Sequence, residues 1–178
     1  VTPGLSDSFG AAIATVESAQ PSALLIGGCA AQGSNPSARV ALLDAQRTWT
    51  TLTQTGLSPR CDIAAASWAS CAAVFGGVGS NGVLLQEVLR SCGNSSAQVG
   101  LYWDPMPQPP WRGRSLMAAS ALWNAGGITI FVAGGRSLTQ EPLPDAWRSD
   151  DLGVSWRSAA DAMPWAARHS ASLVPMHP

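Results

Sequence analysis

Short apolar runs alternate along the chain with loops rich in Gly, Ser, Asn and Pro. Three of the runs, SALLIGG, CAAVFGG and ITIFVAGG, each end in a pair of glycines. Runs of this length that are bounded by turn residues are typical of buried β-strands. A membrane helix requires roughly 20 consecutive apolar residues. No run approaches that length, so the sequence predicts no membrane insertion.

Three kinds of marker recur along the chain. The tryptophans of the repeat are 54 and 53 residues apart and its arginines 54 and 54, whereas the Gly-Gly pairs vary more in spacing. This difference indicates strands of constant length joined by loops of variable length beside the glycines. The markers are Gly27-Gly28, Gly76-Gly77 and Gly134-Gly135, then Trp49, Trp103 and Trp156, then Arg60, Arg114 and Arg168.

Each cycle holds four short strand-like segments separated by turn residues, which is the pattern of a propeller blade. We therefore predict an all-β fold, a β-propeller of four-stranded antiparallel blades, for the single domain 1–178. Three blades are expected at about 7–59, 60–113 and 114–167, and the first strand of a fourth at 168–178. Because closed propellers typically have four to eight blades, we expect a partial propeller.

The Gly-Gly runs and their tryptophans resemble the kelch repeat, as in the central propeller of galactose oxidase. The matching segments are LLIGG with Trp49, AVFGG with Trp103 and FVAGG with Trp156, and together they cover nearly the whole chain. The resemblance implies a stack of four-stranded blades with a tryptophan wedge in the fourth strand of each. The chain departs from the family in mostly lacking the Tyr that stands before the Trp, since Tyr102 is its only tyrosine.

The third cycle also contains a turn that is similar to the Asp box of sialidase-like propellers. The turn is formed by Ser149, Asp151, Gly153 and Trp156. In such a turn the Asp caps backbone N–H groups and the Trp packs underneath. The resemblance implies a structural hairpin and no catalytic role.

The chemistry of the related enzymes is not visible in this chain. The copper site of galactose oxidase requires two tyrosines and two histidines, whereas this chain has Tyr102 and only His169 and His177, both near the C-terminus. No paired carboxylates for acid–base catalysis stand out in the sequence. We therefore predict a protein that is not an enzyme and that binds no cofactor or metal.

The recurring arginines allow two interpretations. In the first, each arginine tethers its crossover loop by donating hydrogen bonds to backbone carbonyl groups or to the next blade. In the second, the guanidinium groups of Arg60, Arg114 and Arg168 converge in a basic pocket, as in the arginine triad of sialidases.

Four cysteines allow two disulfides. If the second and third strands of cycle two pair around the loop at 78–82, Cys71 faces Cys92. Cys29 follows the end of a second strand, and Cys61 begins the first strand of the next blade. Both ends lie on the same face of the propeller disc, so a bond between them would link blade one to blade two covalently. Four reduced, buried thiols are the alternative. Asn94 begins an Asn-Ser-Ser sequon, a site for glycosylation if the chain is secreted.

These observations favour a non-catalytic interaction scaffold. Its propeller loops would bind a partner protein or a glycan, as part of a larger protein or among neighbouring subunits of an assembly. The alternative is a fragment of an extracellular carbohydrate-active enzyme whose catalytic residues lie outside this chain. A net charge of −1 argues against nucleic-acid binding. The cysteines and Asn94 favour an extracellular or cell-surface location over an intracellular assembly.

Overall fold

The computed structural model describes residues 9–16, 22–31, 34–94, 98–160 and 163–174. The described part of the chain is all-β and contains no α-helix. Accordingly, it contains no helix that is long and apolar enough to cross a bilayer. Three predicted features lie outside the described residues: the start of the first blade at residue 7, the two serines of the Asn94 sequon, and His177.

The strands are short and follow one another closely. In chain order they are β1 (Ala12–Val16), β2 (Ser22–Ile26), β3 (Cys29–Ala31), β4 (Ser34–Pro36), β5 (Val40–Leu43), β6 (Trp49–Leu52), β7 (Arg60–Cys61), β8 (Ala64–Trp68), β9 (Cys71–Phe75), β10 (Val78–Gly79), β11 (Val88–Cys92), β12 (Asp104–Pro105), β13 (Ala118–Asn124), β14 (Gly127–Ala133), β15 (Ala146–Ser149) and β16 (Arg157–Ala160).

Each cycle of the sequence forms one four-stranded antiparallel sheet. Sheet one has the order β1-β2-β5-β6, sheet two β8-β9-β11-β12, and sheet three β13-β14-β15-β16. Two small two-stranded sheets, β3 with β4 and β7 with β10, lie in the connections. The predictions of an all-β chain and of four-stranded antiparallel sheets are thus confirmed, although no sheet closes on itself.

Sheet two packs between the other two sheets. Its first strand, β8, lies beside both β1 and β13. Side chains alternate between the faces of a strand, so Ala72 and Val74 of β9 belong to the core shared with sheet one. Ala73 and Phe75 belong to the core shared with sheet three. A four-stranded sheet cannot bury both faces alone, and stacking provides the missing cover.

The fourth-blade strand predicted at 168–178 is described only at 168–174, and this part differs from the prediction. It forms no strand among the described residues. A strand exists only through hydrogen bonds to a neighbour, and no described strand pairs with this segment through a ladder. It instead makes isolated backbone hydrogen bonds, from Ser170 N to Leu116 O at 2.8 Å and from Gly135 N to Arg168 O at 3.1 Å.

Both predicted disulfides are present, so the prediction of two bonded cysteine pairs is confirmed over that of four free thiols. Cys71 of β9 lies directly opposite Cys92 of β11, with Cα atoms 4.1 Å apart. Cys29 of β3 is bonded to Cys61 of β7, with Cα atoms 5.5 Å apart. The second bond links the loop of cycle one to the start of cycle two.

Removing the Cys29–Cys61 bond by replacing both residues with alanine is expected to lower the free energy of unfolding by about 3–4 kcal/mol. The physical reason is that the bond restricts the unfolded chain across 32 residues. Chemical denaturation of the oxidised double variant measures the loss. The oxidised wild type at the same pH provides the comparison, because both proteins then keep the Cys71–Cys92 bond. A variant as stable as the oxidised wild type would contradict the prediction.

Candidate interaction surface

Each Gly-Gly pair lies against the main chain of the arginine that begins the next cycle. The N–H of the second glycine donates a hydrogen bond to the carbonyl oxygen of that arginine in every cycle. These bonds join Gly28 to Arg60 (3.0 Å), Gly77 to Arg114 (2.9 Å) and Gly135 to Arg168 (3.1 Å). The markers that recur in the sequence therefore meet in space at the junctions between sheets.

The arginine side chains extend from these junctions to acidic residues of the following cycle. Arg114 is buried and makes two bonds to the carboxylate of Asp145, at 2.6 and 2.9 Å. It also donates to the carbonyl oxygen of Gly134 at 2.9 Å. Arg60 is fully buried and forms an ion pair with Glu87. Because each buried guanidinium has its own carboxylate, these contacts favour the tethering interpretation over a common basic pocket.

Opposing influences act on the pKa of Asp145. Burial of the carboxyl group raises its pKa, whereas the hydrogen bonds from Arg114 and Trp147 and the charge of Arg114 lower it. The lowering influences prevail, so the pKa lies below the ordinary value of 3.8. Asp145 is therefore ionised at neutral pH, as the ion pair requires.

The repeat tryptophans occupy related but unequal positions. Trp49 begins β6 and is half-buried, whereas Trp103 and Trp156 stand immediately before β12 and β16. Trp103 is buried in the core between sheets one and two. Trp156 packs edge-on against Trp111, with ring centroids 4.7 Å apart, in the core between sheets two and three. Two of the three tryptophans thus lie between sheets.

The turn that resembles an Asp box is held together by its own side chains. Ser149 Oγ donates to Asp151 Oδ1 at 2.8 Å and accepts the N–H of Gly153 at 2.8 Å. Asp151 also accepts the N–H of Ser155 at 2.9 Å. The hydrogen bonds from the hydroxyl and the N–H of Ser155 hold the pKa of the Asp151 carboxyl below its usual range. All of these bonds act within one hairpin turn.

A second repeated feature has no counterpart in the sequence motifs. Four residues with left-handed backbone conformations recur at the starts of the cycles, namely Gly10, Asp62, Leu116 and Ser170, with φ of 64°, 53°, 54° and 55°. The N–H of Leu116 donates to the carbonyl of Asp62, and that of Ser170 to the carbonyl of Leu116, both at 2.8 Å. Successive cycles are therefore joined by equivalent backbone bonds. The four residues share no residue type, and the only signal in the sequence is that Asp62, Leu116 and Ser170 each stand two positions after a repeat arginine.

A cleft opens between loops that differ from cycle to cycle. It has a volume of about 650 Å³ and lies between the loop after β10, the segment before Arg114, and the loop at 137–139. Backbone hydrogen bonds close both loops, from Gly79 to Val83 and from Ser137 to Glu141, each at 2.9 Å. The side chains that line the cleft include Asn81, Val83, Arg112, Ser137, Leu138 and Thr139.

The cleft combines apolar walls with one positive charge. Val83 is 59% exposed and Leu138 is 73% exposed, and both line this one cleft rather than standing singly on the surface. Arg112 is exposed, and its guanidinium makes no ion pair within the part of the chain that the structure describes. None of the lining residues is acidic. A binding partner could therefore bury the apolar side chains of Val83 and Leu138 and form an ion pair with Arg112.

The other predicted residues lie apart from this cleft. Asn94 is exposed, and its N–H donates to the side chain of Gln98 at 2.8 Å. His169 is exposed beside the hydroxyl group of Ser170. Over the described ranges, no group of three His, Cys, Asp or Glu side chains is arranged to hold a metal ion.

The chain matches no protein-family model, and no curated protein is significantly similar to it. Its function therefore has to be inferred from the geometry of its own residues.

Proposed function

We propose that the chain is a non-catalytic interaction scaffold, built as part of a kelch-like β-propeller, that binds a partner protein through its loops. The stacked four-stranded sheets support the propeller, with β8 beside β1 and β13. The equivalent backbone bonds at Asp62, Leu116 and Ser170 support it further, because they join successive cycles in the same way. A tryptophan follows each Gly-Gly run, in agreement with the kelch resemblance.

The cleft between the loops of cycles two and three is the observation that carries the binding role. Binding residues concentrate in loops that a rigid scaffold holds in place. The loops around this cleft expose Val83 and Leu138 beside Arg112. Burying the two apolar side chains would be favourable by about 25 cal/mol for each Å² of apolar surface. The guanidinium would select a partner segment that carries a carboxylate next to an apolar side chain.

We propose that the protein is located outside the cell or at its surface. Disulfides persist in oxidising compartments and are rare in the cytosol, and this chain forms two of them. The exposed Asn94 begins a glycosylation sequon, which supports the same location.

Panning of a phage library of random 12-residue peptides on the biotinylated protein tests the binding role. We expect enriched peptides to carry Asp or Glu beside an apolar residue. Their affinity is expected to fall at least tenfold, or about 1.4 kcal/mol, for Leu138→Asp and for Arg112→Glu. Fluorescence anisotropy with the synthesised peptides measures the change.

The matched control is Arg47→Glu, which makes the same charge change at an exposed position in the β5–β6 connection of sheet one. This variant should bind the peptides as the wild type does. The proposal fails if no peptide is enriched over an unrelated protein, or if Leu138→Asp and Arg112→Glu bind as tightly as the control.

A further inference from the structure

A large apolar residue stands three positions before each repeat arginine, and we refer to the two residues together as a pair. The pairs are Leu57 with Arg60, Trp111 with Arg114, and Trp165 with Arg168. The first two pairs are buried, and in the second the guanidinium lies 6.0 Å from the indole centroid. The third pair has the same contact at 5.7 Å, yet its arginine is exposed. Trp111 is 3% exposed, whereas Trp165 is 46% exposed.

The buried pairs are covered by the sheet of the cycle that follows them along the chain. Leu57 belongs to the core shared by sheets one and two, and Trp111 to the core shared by sheets two and three. At the third junction, between Gly135 and Arg168, the main-chain contact is the same as at the other two, because Gly135 N donates to Arg168 O at 3.1 Å. The side-chain half, Trp165 and the guanidinium of Arg168, has no sheet over it in the described structure.

One position in each cycle supplies the side chain that meets the arginine. The residue at this position is recognised by its carbonyl oxygen, which accepts the N–H of the first glycine of the Gly-Gly pair. These bonds run from Gly76 to Glu87 (3.1 Å) and from Gly134 to Asp145 (2.9 Å). In cycles two and three the side chain at this position is the carboxylate that pairs with the buried arginine. In cycle one the equivalent bond runs from Gly27 to Arg39, at 2.8 Å. The first cycle therefore has an arginine at this position in place of a carboxylate.

A cavity of about 220 Å³ lies beside the third junction, on the side of sheet three that faces away from sheet two. Its apolar lining includes Ala133 of β14, Leu143, Met163, Trp165 and Leu173. Arg168 borders the same cavity. Apolar side chains and an exposed guanidinium thus form one continuous surface, which we call the Trp165–Arg168 surface.

We propose that the Trp165–Arg168 surface binds a further four-stranded unit of the same repeat, one that carries Asp or Glu at the position of Glu87 and Asp145. That carboxylate would accept hydrogen bonds from Arg168 as Asp145 does from Arg114, and the unit would cover Trp165 as sheet three covers Trp111. A second copy of this chain is a poor occupant, because its first sheet has Arg39 and not a carboxylate at this position and would give Arg168 no acidic partner there.

The test extends the chain so that a unit of known charge follows the surface. Val174 is joined to a second copy of residues 121–174, so that Asp145 of the copy follows Arg168 at the same spacing, 31 residues, as Asp145 follows Arg114. Two variants of this extended chain are made. One carries Asp145→Arg in the copy, which imitates cycle one. The other carries Arg168→Ala in the original part of the chain. Limited proteolysis and chemical denaturation compare the three extended chains with the original chain and with its own Arg168→Ala variant.

We expect the copy with aspartate to be cleaved at least tenfold more slowly than the copy with Asp145→Arg. Arg168→Ala should lower the unfolding midpoint of the extended chain, but it should leave the original chain unchanged, because Arg168 is exposed there. The proposal is overturned if Asp145→Arg in the copy has no effect, if Arg168→Ala acts equally in both chains, or if the aspartate copy is digested while the original part survives. It is also overturned if sedimentation of the original chain shows head-to-tail dimers. None of these results depends on the cleft at Val83 and Leu138.

Discussion

Replacing Arg114 with alanine is expected to lower the free energy of unfolding by about 3 kcal/mol, the lower end of the range for breaking a buried ion pair. The side chain is 3% exposed and makes two bonds to the Asp145 carboxylate, which is itself 22% exposed. Without it, the carboxylate stays half-buried with Trp147 as its remaining side-chain donor. The carbonyl group of Gly134 also loses the hydrogen bond that Arg114 donates to it. Urea denaturation at pH 7 measures the difference.

The neighbouring Arg112→Ala provides the matched control, because it removes the same charge from an exposed side chain that makes no described ion pair. An exposed substitution of this kind is expected to change stability by no more than about 0.5 kcal/mol. If Arg112→Ala and Arg114→Ala are equally destabilising, the buried pair is not the source of the effect.

The effect of Arg114→Ala should also depend on pH. The pKa of Asp145 is held below 3.8 in the folded wild type, so its contribution to stability is present above the unfolded pKa and is lost as the pH falls through the folded one. In the variant, burial acts on Asp145 without the arginine and raises the carboxyl pKa. We therefore expect the stability difference between the two proteins to shrink between pH 7 and pH 3. A difference that is independent of pH would contradict an electrostatic origin.

The Cys71–Cys92 bond shows which part of the structure follows from the sequence. Side chains alternate along strands with a period of two, and the centre of a hairpin fixes which residues face each other. The loop at 78–82 therefore predicted the pairing of Cys71 with Cys92 before any contact was known. Local periodicity determines strand length and register, and these are the properties that the sequence pattern predicts well.

The junctions between sheets were only partly predictable. The recurrence of the glycine pairs and of the arginines indicated that both belong to the repeat. The bond from Gly77 to Arg114, however, joins residues of different cycles and depends on how the sheets stack. The left-handed residues Asp62 and Leu116 were missed altogether. Their shared property belongs to the backbone, and residues other than glycine leave no compositional mark of it.

The position of the cleft could not be predicted from the sequence, for a different reason. Its apolar residues, Val83 and Leu138, stand in loops whose composition differs between the cycles, so no period points to them. Their exposure depends on loop closures such as the bond from Gly79 to Val83. The sequence supported the general expectation that loops bind a partner, and the folded loops were needed to say where.

Gly76→Ala is expected to lower the free energy of unfolding by about 4 kcal/mol. The left-handed conformation at φ 51° costs an alanine about 1–2 kcal/mol. An added Cβ would also lie 2.5 Å from the carbonyl oxygen of Arg114 and 3.0 Å from that of Leu85, and overpacking of this kind costs about 1–3 kcal/mol more. Moving the Arg114 carbonyl would in addition weaken its bond to the N–H of Gly77. Denaturant unfolding measures the loss.

Gly82→Ala separates backbone strain from contact at the junction. Gly82 also has a left-handed conformation, with φ 71°, but an added Cβ would meet no atom within 4 Å. It should therefore lose only the strain term of about 1–2 kcal/mol. The excess loss for Gly76→Ala reports how closely sheet two approaches the start of the next cycle. If the two variants are equally stable, Gly76 serves only as a turn residue, and the Gly-Gly pair is not what allows successive sheets to approach.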